Sequence, residues 1–170
     1  MYLRKILFSF LILSLFACSK DEAVYKPTEK IDPFVLYKEG LEAFETNDFF
    51  YASKKFSEAE LNFTKIELAA KSSIMSSYSL YGINFYDEAL ENLDSYLKKY
   101  PVDKNIAYAH YLIAIIYYEQ ISDEKKDLGS IVDAQKNFNI VLKNFPNSDF
   151  ALDAEYKLEL INEILASKEM

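Results

Sequence analysis

The sequence predicts an all-α fold, a helical solenoid of about three and a half repeats over residues 33–170. Three observations lead there. Glycine occurs three times, proline four times and tryptophan never, and so few glycines leave few of the tight turns an all-β fold needs. Apolar residues recur at helical spacing from Pro33 onward. The chain also repeats itself. Asn47-Asp48-Phe49-Phe50-Tyr51-Ala52-Ser53-Lys54-Lys55-Phe56 aligns with Asn84-Phe85-Tyr86-Asp87-Glu88-Ala89-Leu90-Glu91-Asn92-Leu93, and Ala134 with Phe138 repeats the final pair. Ala52, Ala89 and Ala134 are 37 and 45 residues apart.

Residues 1–17 read as a signal peptide. Arg4 and Lys5 precede an apolar run, Ile6 to Phe16, that ends in Ala17. The run is too short to span a bilayer, which takes roughly 20 residues. Cys18 follows at once and is the only cysteine. Leu15-Phe16-Ala17-Cys18 resembles the bacterial lipobox, in which the cysteine becomes the acylated N-terminus. Phe16 is bulkier than that pattern usually carries. The competing reading is a plain signal peptide with an incidental cysteine. Ser19 stands after the cysteine, and in lipoproteins of Gram-negative bacteria a residue other than Asp there implies the outer membrane. Acylation consumes the thiol and leaves no disulfide.

The net charge is −8. Cleavage removes Arg4 and Lys5 and no acid, so the mature chain is more acidic still. No basic footprint for nucleic acid is present. An acidic surface also argues against electrostatic attraction to anionic head groups, so attachment must come from the lipid. Residues 18–32 are polar and aperiodic and read as a lipid-anchored tether. Its fourteen residues after Cys18 reach at most roughly 50 Å.

The first unit covers residues 33–64, with Asp32 as N-cap and Pro33 in the first turn. The second covers 70–101 and the third 107–146. Tyr100-Pro101 and Phe145-Pro146 end the second helices of these two, since proline removes a donor and clashes in a helix interior. Gly40, Ser77 and Ala114 put small residues midway along each first helix, and Ala52, Ala89 and Ala134 do so on each second helix. Phe56, Leu93 and Phe138 fill the space between units. This pattern resembles the tetratricopeptide repeat, a helix–turn–helix unit of about 34 residues. Thr64 and Glu39 depart from it.

Twelve residues separate Gly40 from Ala52, but twenty separate Ala114 from Ala134. The third unit therefore carries an insertion, placed in the turn around 122–130. Its acids Asp123, Glu124 and Asp127 lack the glycine and closing glutamate of a calcium loop and read as a solvated loop. A partial repeat covers 150–170. It starts after Ser148, a candidate N-cap, and Ala154, Leu158, Ile161 and Leu165 share one face. With no second helix after it, that face is expected to lie open.

No catalytic constellation is visible. His110 is the only histidine, and neither a Ser–His–Asp triad nor a zinc site can be assembled around it. It reads as a core or interface residue. No glycine-rich phosphate loop occurs. Glu58 and Glu60 point to different helix faces and are assigned to solvent. No enzyme activity, metal or cofactor is expected.

The aromatic residues are the better site candidates, 14 tyrosines and 13 phenylalanines in all. In tetratricopeptide arrays one face of each first helix lines a concave groove. Transferring that face gives Tyr37, Leu41 and Phe44, then Ile74, Tyr78 and Tyr81, then Tyr108, Tyr111, Ile115 and Tyr118. Spacings of three and four residues put each set on one stripe. Tyrosine suits a surface that is wet when empty and apolar when filled. In the competing reading these rings pack neighbouring repeats.

A lipobox followed by such repeats resembles the BamD family, tetratricopeptide lipoproteins of the outer-membrane β-barrel assembly machinery. The stretch Tyr108-Ala109-His110-Tyr111-Leu112-Ile113-Ala114-Ile115-Ile116-Tyr117-Tyr118-Glu119-Gln120-Ile121, the insertion after it, and Phe145-Pro146-Asn147-Ser148-Asp149-Phe150-Ala151-Leu152-Asp153-Ala154 carry that resemblance. It implies a lipoprotein on the periplasmic face of the outer membrane. The implied task is to bind unfolded outer-membrane proteins through their aromatic-rich C-terminal signal. The implied partners are a BamA-type barrel subunit and other assembly-machinery subunits. That family carries more repeats than this chain, so the resemblance implies that the BamA-docking repeats are partly absent. The alternative function is a periplasmic adaptor lipoprotein for cell-wall or division proteins.

Overall fold

A computed structural model describes residues 31–122 and 128–168, so the signal peptide, Cys18 and nearly all of the tether lie outside the described residues. Seven α-helices follow one another there: α1 (Pro33–Glu45), α2 (Phe49–Asn62), α3 (Ile66–Gly82), α4 (Tyr86–Lys99), α5 (Ile106–Glu119), α6 (Leu128–Asn144) and α7 (Ala151–Lys168). A 3₁₀ turn, Gln120–Ser122, extends α5. Each helix packs on the next, and α3 also touches α5. Helix pairs stacked so that first helices of adjacent units meet make a tetratricopeptide-like solenoid.

Local chemistry sets the boundaries. Asp32 Oδ1 accepts from the Phe34 amide at 2.9 Å, and Pro33 opens α1. Asn47 and Asn84 both adopt the left-handed conformation, with φ of 62° and 60°, which asparagine tolerates better than most residues. The amides after them close matching turns, Asp48 to the Ala43 carbonyl and Phe85 to the Leu80 carbonyl. The two self-similar sequence segments thus make the same turn. α4 and α6 stop one residue before Tyr100-Pro101 and Phe145-Pro146.

The recurrent small and large residues meet between helices. Ala52, Ala89 and Ala134 are fully buried, as are Phe56, Leu93 and Phe138. A Cβ on Gly40 would stand 2.8 Å from the Phe56 ring. In the middle of the stack, α3 buries Ser72, Ser73, Ser76, Ser77 and Ser79. Three of the hydroxyls bond within the helix, Ser72 on the Leu68 carbonyl (2.9 Å), Ser77 on that of Ser73 (3.1 Å) and Ser79 on that of Met75 (2.8 Å), while Ser76 donates across to the Ser53 carbonyl of α2 (3.1 Å). Such short side chains let α2 approach closely without an unpaired buried hydroxyl.

Four expectations need correction. α3 begins at Ile66, four residues before the expected start of the second unit. The insertion is not all loop, because Leu128, Gly129 and Ser130 form the first turn of a longer α6; residues 123–127 lie outside the described residues. Ser148 is not an N-cap: α7 begins at Ala151, and the Ser148 hydroxyl is buried without a hydrogen-bond partner. The apolar face of α7 is not open. Ala154 and Ile161 are fully buried and Leu158 nearly so, packed with Ile131, Ala134, Phe138 and Val141 of α6. α6 covers it from the N-terminal side.

Candidate functional site

The first helices α1, α3 and α5 bring aromatic residues together on one side of the stack. Phe44 of α1 lies 5.7 Å from Tyr78 of α3, ring to ring. Tyr78 lies 5.9 Å from Tyr81 and 6.4 Å from Tyr108 of α5. Tyr108 in turn lies 5.2 Å from Phe150, just before α7. The result is a continuous ladder of rings across four units. A cavity of about 450 Å³ opens in it, lined by Phe44, Lys71, Ile74, Met75, Tyr78, Lys104, Asn105 and Tyr108.

The ten sequence-derived groove residues do not all belong to this cavity. Phe44, Ile74, Tyr78 and Tyr108 line it. Tyr78 is the most open, at 37% exposure. Tyr37 and Leu41 pack on Ala43, Ala52 and Phe56, with Tyr37 at 5.3 Å from Phe56. Tyr81 donates to Glu119 at 2.6 Å, and Tyr111 donates to Asp153 at 2.6 Å while stacking on Phe150 at 5.1 Å. Tyr118 packs against Phe138 at 6.3 Å under the Lys157 ammonium, 5.0 Å from its ring centre. Ile115 is a correction: at 9% exposure it belongs to the core between α5, α6 and α7. α7 covers the α5 end of the stripe.

Burial pushes the hydroxyl pKa of Tyr108 up, with the neighbouring tyrosines adding to it. Tyr81 and Tyr111 are raised for the same first reason, with Glu119 and Asp153 next. Tyr118 is raised by burial and by Tyr156 and Asp153. These rings are therefore neutral donors throughout the physiological range.

Lys71, Met75, Lys104 and Asn105 are the lining residues that sequence reasoning missed. Lys71 precedes Ile74, Met75 and Tyr78 by three, four and seven residues on α3, so helical spacing alone could have included it. Two other side chains have defined roles elsewhere. His110 Nδ1 sits 3.3 Å from Asn137 Oδ1 and its ring stacks on Phe145, at the α5–α6 contact. Glu60 is not a solvent residue, since it accepts from Tyr100 at 2.9 Å and from Lys99 at 3.1 Å and so ties α2 to α4. Among the described residues no helix is long and apolar enough to cross a membrane.

Comparison with known proteins fits this architecture. A relative from Rickettsia prowazekii (strain Madrid E), an "Outer membrane protein assembly factor BamD", is 33% identical over 135 residues, which is 79% of this chain and 54% of the relative. One of the same name from Caulobacter vibrioides is 33% identical over 136 residues, 80% of this chain and 45% of the relative. Another, from Pasteurella multocida (strain Pm70), is 25% identical over 176 residues, 96% of this chain and 66% of the relative. The chain spans about half the length of the first two. The family profile YfiO, described as outer membrane lipoprotein, matches residues 29–170. With a match over most of its length, the chain belongs to the YfiO family of outer membrane lipoproteins.

Proposed function

We propose that this protein is a non-catalytic scaffold that captures extended segments of unfolded outer-membrane proteins for β-barrel insertion. The observation that carries the reading is the ring ladder Phe44–Tyr78–Tyr108–Phe150 with its 450 Å³ opening. Such a surface gives a ligand ring edge-to-face and offset partners worth about 0.5–1.5 kcal/mol each beyond area burial. The relatives' name, outer membrane protein assembly factor, supports the same task. Acylation at Cys18 would hold the domain at the periplasmic face of the outer membrane. Hand-over would run to a BamA-type barrel subunit and other assembly-machinery subunits.

Two measurements test this. Tyr78→Ala should weaken binding of a fluorescent aromatic peptide about tenfold, the equivalent of 1.4 kcal/mol. Because Tyr78 is open to solvent, circular dichroism should show the fold intact. Unchanged affinity overturns the groove assignment. Cys18→Ser should abolish incorporation of labelled fatty acid, and persistent labelling overturns the anchor.

A further inference from the structure

The groove does not end at its aromatic wall. A second hollow, about 430 Å³, lies beyond it toward the start of α3 and the α4–α5 connection. Ile66, Leu68, Ala70, Pro101 and Val102 supply its apolar wall. Ile66 is 60% exposed and Val102 95% exposed, which is far more than core packing leaves. Lys71 and Lys104 line both hollows and so mark the boundary between them. Among the described residues neither lysine has a carboxylate within 4 Å; Lys71 instead rests over the Tyr37 ring at 5.3 Å. The groove hollow contains no acid. The far hollow contains two, Glu67 and Asp103, of which Asp103 accepts from Tyr96 and Asn105. Two cations without a carboxylate within 4 Å, set between two apolar hollows, are an unusual feature on a chain of net charge −8.

The spacing fits one kind of ligand. Ile66 and Ile74 are eight residues apart on α3, about 12 Å along the axis at 1.5 Å per residue. Lys71 falls between them. An extended peptide places every second side chain on one face, and four of its residues span about 13 Å. The geometry points to an extended segment that presents an aromatic side chain at position i, a carboxylate at i+2 and an apolar side chain at i+4. The ring enters the groove hollow, the carboxylate meets Lys71 and Lys104, and the last side chain enters the far hollow. The inference rests on the groove being a peptide site and adds what it selects: an internal apolar–acidic–apolar alternation. The lysine pair favours an acid at the middle position and disfavours a cation there by like-charge repulsion.

The test uses the full chain and four end-blocked fluorescent peptides. The first carries Phe, Asp and Leu at i, i+2 and i+4. In the second the Asp is Asn, in the third it is moved by one residue, and in the fourth it is Lys. The Asp peptide is expected to bind about fivefold more tightly than the Asn and shifted peptides, the scale of exposed ion pairs, and the advantage should shrink at high salt. In a Lys71→Glu, Lys104→Glu double variant the order should reverse, with the Lys peptide now the tightest. Both lysines are exposed, so the fold should tolerate the change. Equal binding of the Asp and Asn peptides overturns the inference and leaves the groove standing. So does an Asn peptide whose affinity is restored by freeing its C-terminus, which would assign the lysines to a chain end. Failure of all four peptides to bind overturns the groove reading itself.

Discussion

Gly40 shows how much one side chain decides here. An added methyl would lie 2.8 Å from two atoms of the Phe56 ring, and that ring is fully buried and cannot swing away. Gly40→Ala should therefore destabilise although alanine is the better helix former, by about 1–3 kcal/mol of overpacking. A thermal melt decides it; an unchanged or raised Tm would mean that α1 and α2 can separate at little cost. Ala89 makes the same point in the next unit. It is fully buried against its neighbours, and Ala89→Leu should cost a similar amount.

At the scale of elements, α7 behaves as the cover of α6 rather than as an open edge. Ile161 is fully buried in the cluster with Phe138 and Val141. Ile161→Ala should cost about 2–5 kcal/mol. In a solenoid each unit feels chiefly its neighbours, so the loss should be local. Hydrogen exchange should speed up across residues 151–168 while α1 and α2 keep their protection. Uniform acceleration through all helices would show instead that the array melts as one unit.

The whole molecule is tied across its unit junctions by tyrosine hydroxyls on carboxylates. Tyr100 donates to Glu60 between the first and second units. Tyr81 and Tyr86 donate to Glu119 between the second and third, and Tyr111 to Asp153 between the third and fourth. Burial comes first in raising the pKa of each of these four tyrosines, with the carboxylate next. A folded pKa above the unfolded value, about 10, means that the folded state holds more protons in alkaline solution. Stability from these groups is thus complete below about pH 10 and falls as pH rises past it. An ultraviolet titration should show the junction tyrosines ionising only as helicity is lost. A single ionisation step near the ordinary value, with helicity intact, would contradict these ties.

The sequence by itself determined the helical class, the register of small and large residues and the turns at Asn47 and Asn84. Those features depend on periodicity and on backbone preferences carried by neighbouring residues. Its aromatic stripe was also legible, because i, i+3 and i+4 spacing follows from the helix alone. Only the tertiary structure decided which part of the stripe stays open. α7 closes over Tyr111, Tyr118 and Ile115, whereas Tyr78 keeps 37% exposure among the described residues. The packing of the α3 serines against α2, the Glu60 tie and the Lys71–Lys104 pair were likewise hidden, since each joins residues from separate segments of the chain. A one-dimensional pattern specifies which face of a helix is apolar; what that face meets depends on contacts between residues far apart in the chain.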